Sequence, residues 1–185
     1  SGRFLLRKIN MKLTDYIIKF LEEKGARHVF VLTGSYIASL IDGLHNHKTI
    51  SYTAVQHEQA AAMAADAYAR VTEDIGVIFV TSGPGATNTL TGVACAYYDS
   101  IPMLVFCGNV NSEEFPPGSR VRQTGCQQLP IIDVAKPITK WAVQVLDPNT
   151  IDEVLVKAYH IATSGRPGPV LIDLPINIQT SQIDP

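Results

Sequence analysis

Short strand-like runs, each closed by a turn residue and followed by a helical pattern, recur along the chain. Runs of this length, rich in apolar residues, are typical of strands buried on both faces of a parallel sheet. The predicted strands are residues 28–33, 51–55, 76–81, 102–107, 140–145 and 169–174. Their alternation with helices predicts an α/β fold, with a doubly wound, mainly parallel sheet and helices on both faces.

The intervening helices follow from apolar spacing and capping residues. They are residues 14–24 with Thr14 as N-cap and Gly25 at the C-terminal end, 36–45, the alanine-rich 60–69, 86–96, and 151–163. A helix built largely of alanine lets another backbone or a flat ligand approach closely. Residues 109–128, rich in Pro, Gly and polar residues, form a loop long enough to suggest function or movement.

The composition limits the possible functions. Of 185 residues, 46% are hydrophobic and 17% are charged, which suits one folded domain whose apolar surface is partly covered by a partner. A net charge of −2 without a basic cluster argues against nucleic acid and anionic membranes as partners. Cys95, Cys107 and Cys126 show neither zinc-site nor disulfide spacing, and no apolar run could span a membrane. We therefore expect a cytoplasmic protein.

The domain boundaries are predicted from the ends of the pattern. Residues 1–10 are interpreted as a tag remnant or an N-terminal extension, because Met11 could be a natural start and residues 4–6 are too short for a signal peptide. Residues 11–176 form the domain. Residues 177–185 are polar and are interpreted as a linker to a further, central domain that this chain lacks.

Ligands of doubly wound sheets gather at the carboxyl ends of the strands. The segments predicted at such ends are Gly34-Ser35, Gln56-His57-Glu58, residues 82–88 and the loop after Cys107. Their convergence predicts a site at this edge of the sheet.

Glu58 lies in the first turn of the alanine-rich helix, where two interpretations stay open. The helix dipole favours an exposed anionic carboxylate, whereas burial favours a neutral acid that exchanges a proton. His57 is interpreted as structural, since neighbouring strand residues point to opposite faces.

The remaining candidates are weaker. The turn at residues 83–85 lacks the lysine and spacing of a phosphate loop and favours a tight structural turn. His45 and His47 have no third ligand nearby, so no metal site is predicted in this chain. The residues by themselves do not define a reaction.

Several motifs together resemble one family. They are residues 29–34, Gln56-His57-Glu58-Gln59-Ala60-Ala61, Ala67-Tyr68-Ala69-Arg70, Thr81-Ser82-Gly83-Pro84-Gly85-Ala86-Thr87-Asn88, residues 91–97, Asp99-Ser100-Ile101-Pro102 and Gly165-Arg166-Pro167-Gly168-Pro169-Val170. Over residues 11–175 the chain resembles the N-terminal, pyrimidine-binding domain of thiamine-diphosphate-dependent enzymes, and within them the acetolactate synthase group.

The resemblance implies an activity. Such enzymes decarboxylate a 2-oxo acid such as pyruvate and transfer the acyl unit to an acceptor. The glutamate matching Glu58 bonds the aminopyrimidine ring of thiamine diphosphate and helps deprotonate the thiazolium. By the same resemblance Gly34, Ser35, Pro84 and Asn88 line the cofactor pocket, and Gln128 faces the reacting centre.

The resemblance also implies partners. Family active sites lie between subunits, so a homodimer or homotetramer is expected, with the alanine-rich helix against its symmetry mate. In the family, Gly-Asp-Gly and a later Asn bind Mg²⁺ and the diphosphate, and this chain has no such motif. A diphosphate-binding domain of the same or another chain is therefore expected to supply this half, and the isolated chain is expected to be inactive. An FAD elsewhere in a full-length protein stays open.

Two departures from the family leave alternatives. Thr33-Gly34-Ser35 replaces the usual Pro-Gly-Gly, and Gln127 takes the place of a phenylalanine beside the active-site glutamine, which weakens the assignment of the acceptor. An excised domain is favoured over a subunit of a split 2-oxo acid decarboxylase. A non-catalytic dimerisation domain is the third possibility.

Overall fold

The computed structural model describes residues 10–114 and 120–184. The strands are β1 Met11–Lys12, β2 His28–Val31, β3 Ser51–Ala54, β4 Gly76–Val80, β5 Met103–Asn109, β6 Trp141–Gln144, β7 Pro169–Pro175 and β8 Gln182–Ile183. The α-helices are α1 Leu13–Glu23, α2 Ala38–Asn46, α3 Glu58–Thr72, α4 Pro84–Thr87, α5 Leu90–Asp99, α6 Ile131–Ala135, α7 Ile151–Thr163 and α8 Ile176–Gln179. Short 3₁₀ turns lie at Ser35–Ile37, Ser112–Glu114, Lys136–Ile138 and Pro148–Thr150.

Six strands form one parallel sheet in the order β3-β2-β4-β5-β7-β6. All six predicted strands form, and their ends differ from the prediction by a residue or two. The chain leaves β2 for β3 on one side and then crosses to β4 on the other. The carboxyl ends of β2 and β4 therefore flank a topological switch point, where such sheets bind ligands.

Helices cover both faces of this sheet, which confirms the doubly wound α/β prediction. Side chains of β4 alternate between two cores: Val77 and Phe79 face α1, α2 and α7, whereas Ile78 and Val80 face α3, α5 and α6. The phenylalanine of β4 meets Phe106 of β5 edge to face, with ring centroids 5.3 Å apart. Full burial of each such side chain stabilises the fold by about 1.5–3 kcal/mol.

The alanine-rich helix α3 approaches its neighbours closely. A Cβ atom added to Gly92 of α5 would lie 2.5 Å from the Cβ of Ala62. A Cβ added to Gly76 of β4 would lie 2.6 Å from the carbonyl oxygen of Ala65. Small side chains on both partners are therefore needed to seat α3 in its position.

The N-cap predicted at Thr14 is wrong. The observed N-cap is Lys12, two residues earlier, the helix begins at Leu13, and no side chain caps it. The cause is tertiary: β1 pairs antiparallel with β8, and Leu13 N donates to Ser181 O at 2.9 Å. Gly25 does end this helix, in a left-handed conformation with φ +85°.

The single helix predicted over residues 86–96 is divided into α4 and α5. Pro84 occupies the first turn of α4, and Thr89 lies at the break. The buried hydroxyl of Thr89 donates to Ala86 O at 2.6 Å, which replaces a regular helical contact. Asn88 is the C-cap of α4, and its side chain donates to Glu58.

Residues 177–184 pack against the domain, although their polar composition predicts a linker. Gln179 is buried and donates to the carbonyl oxygens of Tyr36 and Leu174, and Ile183 joins a hydrophobic core. The polar side chains of this segment therefore make internal hydrogen bonds. That the segment leads to a further domain stays a prediction.

Three predicted segments fall partly outside the described residues: residues 1–9 of the extension predicted at 1–10, residues 115–119 of the long loop, and residue 185 of the linker predicted at 177–185. Within the described ranges, no helix has the length and apolarity that a bilayer crossing requires.

Candidate active site

The strand β3 passes into helix α3 through a turn at His57. This residue is extended, with φ −154°, and its Nδ1 accepts a hydrogen bond from Gln59 N at 3.2 Å. His57 is thus the N-cap of α3, which gives this side chain a structural role. Because the chain turns here, Glu58 points inward while His57 stays exposed.

Glu58 is buried, with 7% of its surface exposed. The hypothesis of an exposed first-turn carboxylate is therefore wrong. Asn88 Nδ2 donates to Glu58 Oε2 at 2.9 Å. The other oxygen, Oε1, accepts no hydrogen bond from any described residue. A carboxyl at a helix N-terminus, with one oxygen bonded and the other open, can meet the nitrogen of a ligand.

Glycines at two loops narrow the space around this carboxyl. A Cβ added to Gly34 would lie 2.5 Å from Thr81 Cβ, so the loop after β2 rests directly on the end of β4. A Cβ added to Gly85 would lie 2.7 Å from Thr81 Cγ2 and 3.5 Å from Glu58 Oε1. The absence of a side chain at residue 85 leaves room beside the free carboxyl oxygen.

The turn at residues 83–85 is a tight structural turn, as predicted. Gly83 has φ +58°, a conformation that glycine adopts without strain. The amide of Gly85 donates to Ser82 O at 3.1 Å, and the amide of Thr87 donates to Gly83 O at 2.9 Å. These amides are bonded within the turn and do not form an anion loop.

A cavity of about 500 Å³ lies against this turn. Its lining residues are Gly83, Pro84, Thr87, Arg122, Gln123, Gln127, Gln128, Leu129 and Pro130. The wall contributed by residues 120–130 packs directly on the turn, because a Cβ added to Gly83 would lie 2.2 Å from Gln127 O.

The cavity and the carboxyl lie on adjoining faces of α4. Pro84 and Thr87 line the cavity, whereas Gly85 and Asn88 lie beside Glu58. The structure therefore gathers most of the predicted site residues around one helical turn. The predicted site residue Gln128 lines the cavity, and so does the adjacent glutamine, Gln127. Ser35 is exposed, and no hydrogen bond joins it to the carboxyl in the described ranges.

Sequence reasoning missed a second buried acid. Asp173 at the end of β7 is 1% exposed, and its Oδ2 accepts from Asn109 Nδ2 at 2.8 Å and from Gln144 Nε2 at 2.7 Å. Burial raises the pKa of this carboxyl to about 7, although both amide hydrogen bonds lower it. Burial also raises the pKa of the Cys107 thiol, and the charge of Asp173 adds to that effect. The sequence does carry a signal that could have revealed this acid, because Asp173 lies between apolar residues of one predicted strand.

The fold and this site define a class of protein. Residues 11–134, more than half of the chain, match the family described as "Thiamine pyrophosphate enzyme, N-terminal TPP binding domain". The chain belongs to this family, which confirms the resemblance seen in its motifs. Glu58, Pro84, Asn88 and Gln128 all lie inside the matched range.

Curated relatives narrow the class further. The chain is 40% identical over 164 residues to the acetolactate synthase isozyme 3 large subunit of Escherichia coli, covering 89% of this chain and 28% of that protein. It is 38% identical to the acetolactate synthase large subunit of Lactococcus lactis over 92% of this chain and 28% of that protein. It is 40% identical to a probable acetolactate synthase large subunit of Methanocaldococcus jannaschii, over 94% of this chain and 28% of that protein. The chain thus spans little more than a quarter of each.

Proposed function

We propose that this chain forms the pyrimidine side of a thiamine diphosphate site in an acetolactate synthase-like enzyme. That enzyme would decarboxylate a 2-oxo acid such as pyruvate and transfer the acyl unit to an acceptor. The observation that carries the proposal is the buried Glu58, held by Asn88 at the topological switch point with one oxygen open. The family match and the acetolactate synthase relatives support it.

The residues present fit an aminopyrimidine ring. A flat heterocycle needs a hydrogen-bond partner for its ring nitrogen and small residues along its faces. Glu58 offers the open oxygen, and Gly85 leaves room beside it. Gly34, Ser35 and Pro84 complete the proposed lining.

The protein's part of the chemistry is proton handling and positioning. When bound, thiamine diphosphate supplies the electron sink for decarboxylation. Glu58 holds or releases a proton at Oε1, and its burial keeps water from competing for that proton. Gln128 in the cavity wall orients the substrate. Arg122 in the same wall provides a cation for the carboxylate of a 2-oxo acid.

The diphosphate half of the site is assigned to another domain. The 185-residue sequence contains no Gly-Asp-Gly motif for Mg²⁺ and the diphosphate. We expect a diphosphate-binding domain of the same or another chain to provide it, and the isolated chain to be inactive.

An apolar helix surface supports assembly as a homodimer or homotetramer. Along the outer side of α3, Met63 is 45% exposed and Val71 is 85% exposed, with the exposed Ala60 and Ala67 between and beside them. Tyr98 of α5, a helix that packs against α3, is also exposed. Exposed apolar side chains on two neighbouring helices are typical of a surface that a partner covers.

Substitution of the carboxyl tests the proposal. In the full-length protein, Glu58→Gln should lower thiamine-dependent turnover about 10²- to 10⁴-fold, the usual contribution of a positioned proton-transfer group. The matched control is Glu153→Gln, which changes an exposed glutamate in the first turn of α7 and should retain activity. Unchanged turnover of Glu58→Gln would refute the assigned role.

Two further measurements separate the alternatives. Calorimetry with thiamine diphosphate and Mg²⁺ on the full-length protein should show binding heat; a dimerisation domain would show none. Native mass spectrometry of the protein purified from its source should find one type of chain. A stable second chain carrying Gly-Asp-Gly would instead favour the split decarboxylase.

A further inference from the structure

The two oxygens of Glu58 are distinguished only by Asn88 among the described residues. The last torsion of a glutamate side chain is broad and roughly two-fold, so a lone carboxyl exchanges its oxygens readily. The amide of Asn88 donates to Oε2 at 2.9 Å, which favours one plane of the carboxyl with one oxygen bonded and the other open. Oε1 is then the oxygen that faces the gap beside Gly85.

The backbone around Asn88 is fixed from both sides. The backbone N–H of Asn88 donates to Pro84 O at 2.9 Å at the end of α4. The backbone N–H and the hydroxyl of Thr89 both donate to Ala86 O. Its side chain reaches a residue 30 positions away, so it ties the turn after β4 to the start of α3. A rigid donor of this kind restricts the orientation of its acceptor.

We propose that Asn88 is a positioning residue that acts through Glu58 and selects Oε1 as the oxygen that exchanges the proton. An amide N–H only donates, so the oxygen it meets serves as the acceptor. In the neutral acid the hydrogen therefore lies on Oε1. In the anion the same bond is charge-assisted and holds the carboxylate in place. This inference rests on the proposed role of Glu58, and it replaces direct contact of Asn88 with the cofactor.

The test is cofactor affinity of the full-length protein, measured by calorimetry with Mg²⁺ present. Asn88→Ala should weaken thiamine diphosphate binding about two- to tenfold, because the freed carboxyl of Glu58 must then be immobilised when the ligand binds. The same substitution should change little for an analogue in which carbon replaces the pyrimidine nitrogen N1′, since that ligand cannot bond Glu58. An equal loss with both ligands would overturn the inference.

A double-mutant cycle separates this inference from the proposed function. Asn88→Ala should cause no further loss of affinity in a Glu58→Ala background. If Glu58→Ala leaves affinity unchanged, the proposed function fails. If Glu58→Ala weakens binding and Asn88→Ala does not, or if the two losses add, only the role of Asn88 fails. The control is Asn149→Ala, which removes an exposed asparagine–carboxylate pair with Asp147.

Rescue by a conservative variant gives a further readout. In Asn88→Asp the new carboxyl can donate to Glu58 only when it is protonated, so affinity should recover as pH falls. His57 is present in both variants compared here, so the difference between them reports residue 88 alone. Asn88→Leu, which keeps the size without a donor, should show no recovery. Equal pH profiles for the two variants would contradict the positioning role.

Discussion

Replacement of Asp173 by asparagine should remove a pH dependence from the stability of the domain. This carboxyl is 1% exposed, and its Oδ1 has no hydrogen-bond partner in the described residues. Burial raises its pKa from 3.8 to about 7. The folded state therefore binds this proton more tightly than the unfolded state does.

The sign and the size follow from that difference. The stabilisation from the bound proton is fully present below about pH 4 and is lost as pH rises through about 7. A shift of this size corresponds to about 4 kcal/mol between the two limits, since one pKa unit corresponds to about 1.4 kcal/mol. Asparagine keeps an oxygen for Asn109 and Gln144, offers an N–H at the other position, and does not ionise.

Urea unfolding followed by circular dichroism, from pH 4 to pH 9, measures the effect. The free energy of unfolding of the wild-type chain should fall relative to Asp173→Asn as pH rises, by about 4 kcal/mol over the range. Taking the difference between the two proteins cancels other titrating groups, such as His28, whose pKa is lowered by burial. If the free energy of unfolding changed equally with pH in both proteins, the hypothesis that Asp173 is buried as a protonated acid would be refuted.

Two other predictions concern packing and assembly. Gly85→Ala brings a methyl group within 2.7 Å of Thr81 Cγ2; thermal unfolding should show a loss of about 1–3 kcal/mol, as overpacking usually causes, and calorimetry should show weaker cofactor binding. Wild-type stability and wild-type cofactor affinity in this variant would show that the turn accommodates a methyl group at residue 85. Met63→Lys places a charge on the apolar surface of α3, and sedimentation velocity of the full-length protein should show dissociation towards monomers. Val156→Lys, at a position 50% exposed on α7, is the control that should keep the wild-type assembly; equal behaviour of both variants would contradict an interface on α3.

The sheet could be predicted from local pattern because each strand carries enough apolar residues to require burial. Its order and the start of α1 could not be predicted, because they depend on pairing between distant segments. The N-cap prediction at Thr14 was wrong for this reason: β8, far along the chain, determines where α1 begins. The division of α4 from α5 lies at Thr89, whose amide and hydroxyl both donate to Ala86 O, and apolar spacing does not reveal these bonds.

The location of the candidate site could be predicted from the sequence, but the burial of its side chains could not. Strand ends placed Gly34, Glu58 and Pro84 at one edge, since parallel strands share their carboxyl ends. Whether Glu58 is exposed could not be decided from its place in the first turn. Its burial depends on Asn88 and Gly85, which lie after another strand. Asp173 was missed because its partners Asn109 and Gln144 come from two separate strands.

The pairing of β1 with β8 has a mechanical consequence. Residues 11–12 and 182–183 run antiparallel, so the chain enters and leaves the domain at the same point. Tension applied through both ends would load this short ribbon in an unzipping direction, one residue pair at a time. The six-stranded sheet would carry force only after the ribbon has opened. We therefore expect these two residue pairs to separate before any strand of the sheet does when the chain is stretched from both ends.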